Sequence, residues 1–404
     1  MKKGFLSEYF EGVVAKRLSA VEANPGKSNQ HEFNGVMALR QLLGNEKLSD
    51  CPAQFIWLGE ENEGFSEDSN VTWYDARANH KTRTEYRLYF RKNPVMELAG
   101  EDDLLIVAKR PSNKLMIIVV PKGSTIENQL LWLFGISVPS EASFEYRDFE
   151  KKSDTKIDFA ARFIFDELGI EIEEPEVDRL DSLLERFGSF FPTTAIFSAF
   201  ARETLPEVNP LDGPDAALLA WMNQEEKLFR RLERHIVADR LREGFASPDN
   251  VDVDGFINFS LSVNNRRKSR TGFALENHLQ QIFKAHEIRF SRGAVTENNA
   301  KPDFLFPGTK EYHDPRFPDD KLSMLGVKST CKDRWRQVLA EANRINDKHL
   351  LTLEPGISEN QTSEMIANRL QLVLPKGLHE TYRENQRTWL MDLNEFIYLV
   401  QKRQ

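Results

Sequence analysis

Cysteine is scarce in this chain, which has only Cys51 and Cys331 among 404 residues. Two cysteines cannot build a disulfide framework or a cysteine zinc site, so both classes of protein are excluded. Long apolar runs are also lacking, because stretches such as Leu115–Val120 fall far short of the roughly 20 residues of a bilayer span. The mean hydropathy is −0.51, and residues 1–30 carry charges throughout. We therefore expect neither membrane insertion nor a secretory signal, and a reducing cytoplasm as the location.

Positive charge is in deficit overall, since 54 Lys and Arg stand against 63 Asp and Glu, for a net charge of −9. The distribution is uneven. Residues 251–350 hold 17 basic and 13 acidic side chains, a balance of +4, which leaves −13 for the other 304 residues. Four basic residues fall together there without an acid among them: Arg266, Arg267, Lys268 and Arg270. Such a local basic surface suits a nucleic-acid partner, and a solvated charge run is the alternative.

The length and the 40% hydrophobic content predict two globular domains. The first part is rich in short β-branched or aromatic runs between Gly, Asn, Asp and Pro residues, which indicate strands. These runs are Phe55–Leu58, Val71–Tyr74, Glu85–Phe90, Leu104–Lys109 and Lys114–Val120. Apolar residues at helical spacing predict helices at Leu6–Leu18 and Ile126–Phe134. A mainly β barrel or sandwich of about 170 residues is implied.

A dense acidic run around Pro175, within residues 169–182, is the best candidate for a linker. It divides the chain into predicted domains 1–175 and 176–404. Beyond it the pattern changes to helices, such as Gln224–Arg242 and Thr271–His286, that alternate with short strands. The strand Met324–Ser329 is followed by a predicted helix Asp333–Asp347, which Asp333 would cap. Its apolar stripe is Val338, Leu339, Ala342 and Ile345. The second domain is therefore predicted to be mixed α/β.

Three short segments of the second domain carry residues suited to a divalent-metal site. They contain Asp303 in KPDFLF, Lys328 with Glu341 in GVKSTCKDRWRQVLAEAN, and Glu276 in FALENHL. Asp303 precedes a strand, Lys328 lies on the next one, and a helix packed behind could bring Glu341 beside the lysine. Carboxylates bind Mg²⁺ and a lysine stabilises an attacking water and developing charge, which is what phosphodiester hydrolysis requires. The alternatives are a common Pro-Asp turn and solvated glutamates.

Several segments together resemble the catalytic domain of EcoRII-type (type IIE) restriction endonucleases, a group related to PspGI and Ecl18kI. The segments are SVNNRRKSRTG, KPDFLFPG with YHD following, VKSTCKDRWRQVLAEAN and HLLTLEPGIS. The likeness runs from about Phe190 to the C-terminus. It implies a PD-(D/E)XK nuclease fold, Mg²⁺ as cofactor, double-stranded DNA as partner, and a homodimer matched to a short CC(N)GG-like palindrome.

The resemblance also implies roles for single residues. Asp303 matches the metal-binding aspartate and Lys328 the catalytic lysine. The generic motif places an acid two residues before this lysine, where the present chain has Gly326. In the resembling subgroup the acid comes from the following helix, which matches Glu341 as the second metal ligand. Glu276 matches an upstream acid. Lys332 and Tyr312 resemble further active-site residues, and Lys332 as a helix-start cation is the alternative.

Two groups of residues are candidates for DNA contacts in the second domain. The resemblance places Arg266, Arg267, Lys268 and Arg270 at the major groove, where Arg and Lys suit guanine O6 and N7 or clamp phosphates. Relatives stack an extruded base on a side chain, and Trp221 in AWMNQ could serve as that plate. A buried core tryptophan is the alternative.

The first domain is less similar, but KRLSA and HKTRTEYR, residues 16–20 and 80–87, resemble the EcoRII effector-binding domain. This likeness implies a DNA-binding pseudobarrel, with Lys81 among the contacts. On one strand Arg83, Glu85 and Arg87 would share a face. From there Arg can read guanine, and Glu can accept a hydrogen bond from cytosine N4 in the major groove. The alternative is an exposed salt-bridge ladder.

The sequence is thus interpreted as an autoinhibited type II restriction endonuclease, activated by a second copy of its site. The competing interpretation is a sequence-specific DNA-binding regulator that retains the nuclease fold.

Overall fold

The chain forms two compact units in the computed structural model, which describes residues 5–23, 31–35, 37–59, 65–137, 145–149, 158–172, 180–247, 250–332 and 334–404. One unit comprises Met1–Pro175 with Pro355–Asn360, and the other comprises Glu176–Glu354 with Gln361–Gln404. Within the first unit the carbonyl of Pro355 accepts a hydrogen bond from Gln129 Nε2 at 2.9 Å. The predicted linker around Pro175 lies outside the described residues between 173 and 179. The predicted roles of residues 1–175 and 176–404 stay predictions.

The first unit is built on an eight-stranded sheet. Its strands are β1 (Gly12–Arg17), β2 (Glu32–Gly35), β3 (Leu48–Trp57), β4 (Phe65–Asp75), β5 (Tyr86–Phe90), β6 (Leu104–Lys109), β7 (Leu115–Val120) and β8 (Glu145–Asp148). They follow the order β2-β5-β4-β3-β7-β6-β1-β8, with β3 and β7 parallel and the other described neighbours antiparallel. The helices are α1 (Ala20–Ala23), α2 (Met37–Leu43), α3 (Pro94–Leu98), α4 (Thr125–Phe134) and α5 (Phe159–Glu167).

The central strands of this sheet are buried on both faces because they are almost continuously apolar. Side chains of β6 alternate between two cores: Leu104 and Ile106 pack into one, and Leu105 and Val107 into the other. Helix α4 begins where Ser124 accepts a hydrogen bond from the Glu127 N–H at 3.2 Å, as an N-cap residue does.

The sequence-based elements of this unit were mostly confirmed. All five predicted strands occur, and the helix predicted at Ile126–Phe134 is α4. The helix predicted at Leu6–Leu18 was wrong, because a 3₁₀ turn at Leu6–Glu8 leads into β1. The segment GVVAKR of β1 is buried at every position between β6 and β8. Burial on both faces therefore overrides the helical spacing of its apolar residues.

The second unit combines a helical layer with a five-stranded mixed sheet. The strands are β11 (Ser291–Arg292), β12 (Phe304–Phe306), β13 (Ser323–Lys328), β14 (Lys348–Thr352) and β15 (Leu370–Val373), and a small hairpin consists of β9 (Ala246–Ser247) and β10 (Asn250–Val251). The sheet order follows the chain, antiparallel from β11 to β13 and parallel from β13 to β15.

Helices of residues 176–404 include two long ones that contain the predicted segments 224–242 and 271–286. The helices are α6 (Leu180–Phe187), α7 (Thr194–Glu203), α8 (Pro214–Glu243), α9 (Val253–Ala285), α10 (Thr309–His313), α11 (Trp335–Val338), α12 (Glu359–Ala367), α13 (Glu384–Arg387) and α14 (Leu393–Arg403). None of the helices in the described ranges is long and apolar enough to cross a membrane.

The predicted helix Asp333–Asp347 was wrong in length. Its helical part is α11 alone, and Asp333 lies outside the described residues. Beyond α11 the chain turns, with Ala342 at a positive φ of 49°. Backbone N–H groups there bond to side chains elsewhere in the unit: that of Ala342 to Thr296 Oγ1 at 3.4 Å and that of Asn343 to Glu297 Oε2 at 3.1 Å. These tertiary bonds replace the helical ones.

Candidate active site

Asp303 and Lys328 meet at the point where β12 begins and β13 ends. Asp303 immediately precedes β12, and Lys328 is the last residue of β13, which pairs with β12. Asp303 Oδ2 accepts hydrogen bonds from the Val327 N–H at 2.6 Å and from Lys328 Nζ at 3.1 Å. The two side chains remain 19% and 20% exposed. A substrate could therefore reach a carboxylate and an ammonium group that are already oriented by the sheet.

Glu341 lies in the turn after α11, close enough to Lys328 and Asp303 for their charges to act on it. Burial raises the pKa of Glu341 to about 7; the Lys328 charge lowers this pKa and the Asp303 charge raises it. Glu341 Oε2 is buried and has no hydrogen-bond partner in the described part of the chain. An unsatisfied buried carboxylate oxygen is costly unless a ligand binds it.

Glu276 reaches the same region from α9, but its carboxylate is already paired. Arg292 in β11 donates to Glu276 Oε2 through Nε at 3.0 Å and Nη2 at 2.6 Å. Burial raises the pKa of Glu276, the bond from Arg292 lowers it, and the nearby Asp303 charge raises it further. The structure thus brings together all four of the predicted residues, with Glu276 held by an arginine.

Packing explains why Gly326 stands where the generic motif has an acid. A Cβ atom built on Gly326 would lie 2.8 Å and 3.0 Å from the two Cγ atoms of Val338 in α11. Any side chain there would displace the buried Val338. The carboxylate of Glu341, on the turn that follows α11, interacts electrostatically with Lys328.

Tyr312 and Lys332 occupy different surroundings. Tyr312 is buried, and its hydroxyl donates to Glu297 Oε2 at 2.6 Å. Burial and this bond raise the pKa of Tyr312 to about 12. Because Glu297 also accepts from the Asn343 N–H, Tyr312 supports the turn that carries Glu341. Lys332 lies in the loop between β13 and α11 with a positive φ of 33°. Its role as catalytic group or helix-start cation stays a prediction.

Sequence reasoning missed three residues that hold this site. Arg292 clamps Glu276, Glu297 supports the Glu341 turn, and the buried Glu354 accepts a hydrogen bond from the Cys331 N–H, just after β13. Each is an ordinary charged residue in the sequence. Only the register of β11 with β12 and the position of the loops identify their partners.

Asp303 and Glu341 are the side chains that could hold a divalent cation. No group of three or more His, Cys, Asp or Glu side chains is placed for a metal among the described residues. Mg²⁺ does not require one, because it is commonly held by one or two carboxylates, retained waters and substrate phosphate oxygens. The unsatisfied Oε2 of Glu341 and the exposed edge of Asp303 fit this oxygen-rich coordination.

A family model matches the part of the chain that carries these residues. The family model described as EcoRII C terminal matches residues 229–397. Residues 229–397 are therefore similar to the EcoRII C-terminal family. They include Glu276, Asp303, Lys328 and Glu341, as well as the basic residues 266–270.

The similarity extends to one curated relative. The type II restriction enzyme EcoRII from Escherichia coli is 43% identical over 230 residues, which cover 57% of this chain and 55% of the relative. The alignment thus spans about half the length of EcoRII. Two solved structures are also similar. Metal-depleted Ecl18kI in complex with uncleaved, modified DNA is 18% identical, with a TM-score of 0.43 over 55% of this chain and 82% of the other. A PspGI-substrate DNA complex is 15% identical, with a TM-score of 0.43 over 52% of this chain and 94% of the other.

The predicted DNA-contact cluster of the second unit lies on α9 and divides into two pairs. Arg267 bonds to the buried Glu233 through Nε at 2.7 Å. Arg270 is 8% exposed, lies over Phe197 and Phe229, and donates to the Pro192 carbonyl at 3.2 Å. Both guanidinium groups thus stabilise helix packing in this conformation.

The other two residues of the cluster are accessible. Arg266 is half-buried, with its guanidinium 4.2 Å from the ring centre of Phe191, and Lys268 is exposed. All four DNA contacts stay predictions, and in this conformation Arg266 and Lys268 have the freer side chains.

Trp221 precedes the residues matched by the family model and is buried in α8, at 3% exposure. Its ring lies 5.7 Å from that of the fully buried His278. This placement favours the core alternative over a base-stacking plate.

The candidate contacts of the first unit are only partly on a strand. β5 begins at Tyr86, so the prediction that Arg83 and Glu85 share a strand face with Arg87 was wrong. The Glu85 N–H bonds to Asp75 Oδ1 at 2.7 Å in the connection from β4.

The charged side chains of this region fall into an ion-paired group and two exposed cations. Glu85 pairs with Arg77 and Arg87, and Arg87 also pairs with Glu32, as the salt-bridge alternative predicts. Lys81 and Arg83 are exposed.

Proposed function

We propose that this chain is a type II restriction endonuclease of the EcoRII kind, which makes Mg²⁺-dependent double-strand cuts at a short CC(N)GG-like palindrome. The observation that carries this proposal is the convergence of Asp303, Lys328 and Glu341 within the residues that match the EcoRII C-terminal family model. The 43% identity to EcoRII supports the same conclusion.

The proposal includes the finer features of the fold. The second unit would be a PD-(D/E)XK domain in which Glu341 replaces the motif acid, consistent with the steric exclusion at Gly326. The eight-stranded sheet of the first unit would be the effector-binding pseudobarrel, with Lys81 and Arg83 as its accessible cations.

The chemistry follows from the charges at the site. Lys328 Nζ lies 3.1 Å from Asp303 Oδ2 and its side chain is partly exposed, so it can orient an attacking water and stabilise negative charge that develops on the phosphate. Glu341, with a pKa near neutrality, can hold a proton below pH 7 and present a full carboxylate above it. Arg292 keeps Glu276 paired, so that it does not add a further uncompensated negative charge beside Asp303.

Asp303 and Glu341 would hold Mg²⁺, together with retained waters. A bound Mg²⁺ supplies polarisation of the scissile phosphate and a lower pKa for the attacking water. The protein contributes the fixed orientation of Asp303, which its two hydrogen bonds set before any substrate binds.

DNA, a second subunit and an effector site complete the proposal. Two copies related by a two-fold axis match a palindromic target. The first unit would inhibit the catalytic one until it binds a second copy of the site.

Cleavage of a plasmid that carries CC(N)GG-like sites tests this function. The wild-type chain should cut it with Mg²⁺ and not with EDTA. Asp303→Ala should be inactive, whereas Asp320→Ala, which removes an exposed aspartate from a nearby 3₁₀ turn, should cut normally. Sequence-specific binding without cleavage under all metal conditions would instead support the regulator interpretation.

Stimulation of the full-length chain tests the effector role. A plasmid with a single site should be cut slowly, and an added duplex that carries the site should accelerate cleavage. Arg83→Ala should lose this acceleration, whereas Arg91→Ala, an exposed arginine of the same unit, should retain it. Rapid cleavage of the one-site plasmid without the duplex would contradict autoinhibition.

A further inference from the structure

Lys348, the first residue of β14, is a buried lysine with unusual partners. It is only 7% exposed, although lysines are rarely buried unless they are paired. Its ammonium group donates to the carbonyl of Ile345 at 3.0 Å and to that of Ala342 at 3.5 Å. It forms no ion pair with a carboxylate among the described residues. Backbone carbonyls are therefore its direct partners.

The two carbonyls belong to the turn that carries Glu341. Ala342 directly follows Glu341, and its positive φ of 49° is a conformation that residues other than glycine seldom adopt. Such a conformation persists where surrounding contacts hold it. The Ile345 N–H closes the turn by donating to the Ala342 carbonyl at 2.9 Å. Lys348 thus binds the turn at both ends.

Lys348 complements the contacts that hold the other side of the same backbone. Thr296 and Glu297 accept hydrogen bonds from N–H groups of the turn, those of Ala342 and Asn343. Lys348 instead donates to its carbonyls. The donors and the acceptors of the turn are therefore satisfied from two different segments, and removal of Lys348 would release one of them.

The charge of Lys348 also acts on Glu341. Burial lowers the pKa of Lys348, and the charges of Glu341 and Glu297 raise it. In the opposite direction, Lys348 and Lys328 both counter the rise in pKa that burial causes in Glu341. The ammonium group that bonds the turn is thus close enough to influence the carboxylate that the turn carries.

We propose that Lys348 is a positioning residue for phosphodiester hydrolysis. By tying the carbonyls of Ala342 and Ile345, it holds the turn so that the Glu341 carboxylate stays directed to the region of Asp303 and Lys328. The inference rests on the proposed function, in which Glu341 is a Mg²⁺ ligand. Lys348 itself touches neither the metal nor the substrate, so its loss should weaken Mg²⁺ binding more than the chemical step.

Amide hydrogen exchange of the metal-free, full-length chain tests the tether. Lys348→Met keeps a long side chain without a donor, and it should speed exchange in residues 341–345 about 10-fold or more. Lys348→Arg keeps the charge and the donors and should restore most of the protection. Lys402→Met, which alters an exposed lysine of α14, should match the wild type. Exchange in the buried part of α9, residues 274–283, should stay unchanged in every variant, which separates local loosening from global unfolding.

The Mg²⁺ dependence of plasmid cleavage tests the functional consequence. The half-saturating Mg²⁺ concentration should rise about 10-fold in Lys348→Met, while the rate at saturating Mg²⁺ stays within about 3-fold of the wild type. Lys348→Arg should lie close to the wild type in both values. Removal of a nearby positive charge alone would instead favour Mg²⁺ binding, so the direction of the change distinguishes positioning from simple charge repulsion.

Three results would overturn the proposal. They are unchanged exchange of residues 341–345 in Lys348→Met, a half-saturating Mg²⁺ concentration that falls, and a lower maximal rate with an unchanged Mg²⁺ dependence. A wild-type chain that never cleaves DNA, combined with faster exchange in Lys348→Met, would refute the nuclease function and leave the tether of the turn intact.

Discussion

Glu341→Gln should make the Mg²⁺-free protein more stable at pH 8 and abolish its cleavage. Burial raises the pKa of Glu341 from 4.5 to about 7 in the folded chain. Between these values the folded state binds a proton that the unfolded state has released, so the stability of the wild type falls as the pH rises from about 4.5 to about 7. The amide side chain has the same shape and carries no charge to desolvate.

The magnitude follows from the pKa shift. At 1.36 kcal/mol per pKa unit the full shift corresponds to about 3 kcal/mol, and because the side chain is only partly buried, solvent screening reduces the expected gain to about 1–2 kcal/mol. The free energy of unfolding would be measured by urea titration with EDTA at pH 5 and at pH 8. The variant should gain on the wild type at pH 8, with a much smaller difference at pH 5.

The same preparations separate metal binding from stability. Mg²⁺ at pH 8 should stabilise the wild type by mass action and leave Glu341→Gln unchanged. Glu364→Gln, which alters an exposed carboxylate paired with Arg336, is the control and should match the wild type in every arm. An unfolding free-energy difference between Glu341→Gln and the wild type that is the same at pH 5 and pH 8 would refute the reasoning.

Three further predictions concern the strands around the site and the first unit. Lys328→Ala and Asp303→Ala should each abolish cleavage, at a cost of about 3–4 kcal/mol or more in transition-state stabilisation, while gel shifts with Ca²⁺ show near-normal specific binding. Gly326→Ala should lower the free energy of unfolding by about 1–3 kcal/mol, because its Cβ overlaps Val338. An unchanged urea midpoint would show that α11 shifts to make room for the methyl group. Arg83→Ala should weaken binding of effector DNA by about 1–3 kcal/mol, and equal titration curves would contradict a base contact.

The fold was predictable where the sequence pattern had one physical explanation. The strands β6 and β7 were found from their short apolar runs between turn residues, and helix α4 from the helical spacing of its apolar residues. β1 was not, because the apolar residues of Leu6–Leu18 fit a helical period and only the two flanking strands make them a buried strand. Tertiary pairing decides such short segments.

The sequence was enough to identify the candidate site residues, but not the residues that hold them in place. Asp303, Lys328, Glu341 and Glu276 were identified by residue type and by resemblance, and the structure brings all four together. The helix expected to carry Glu341 ends at Val338, and Glu341 lies in the turn that follows. Its N–H groups bond to the side chains of Thr296 and Glu297, tens of residues away in sequence, and no local pattern reveals such partners.

The proposed exchange of the motif acid from position 326 to Glu341 is consistent with how α11 packs. With Val338 seated against β13, position 326 has no room for a carboxylate beside Lys328. Glu341 lies on a turn whose backbone is held by tertiary hydrogen bonds, and its Oε2 has no hydrogen-bond partner among the described residues. Burial of the Glu341 side chain in this turn is the main reason that its pKa is raised to about 7.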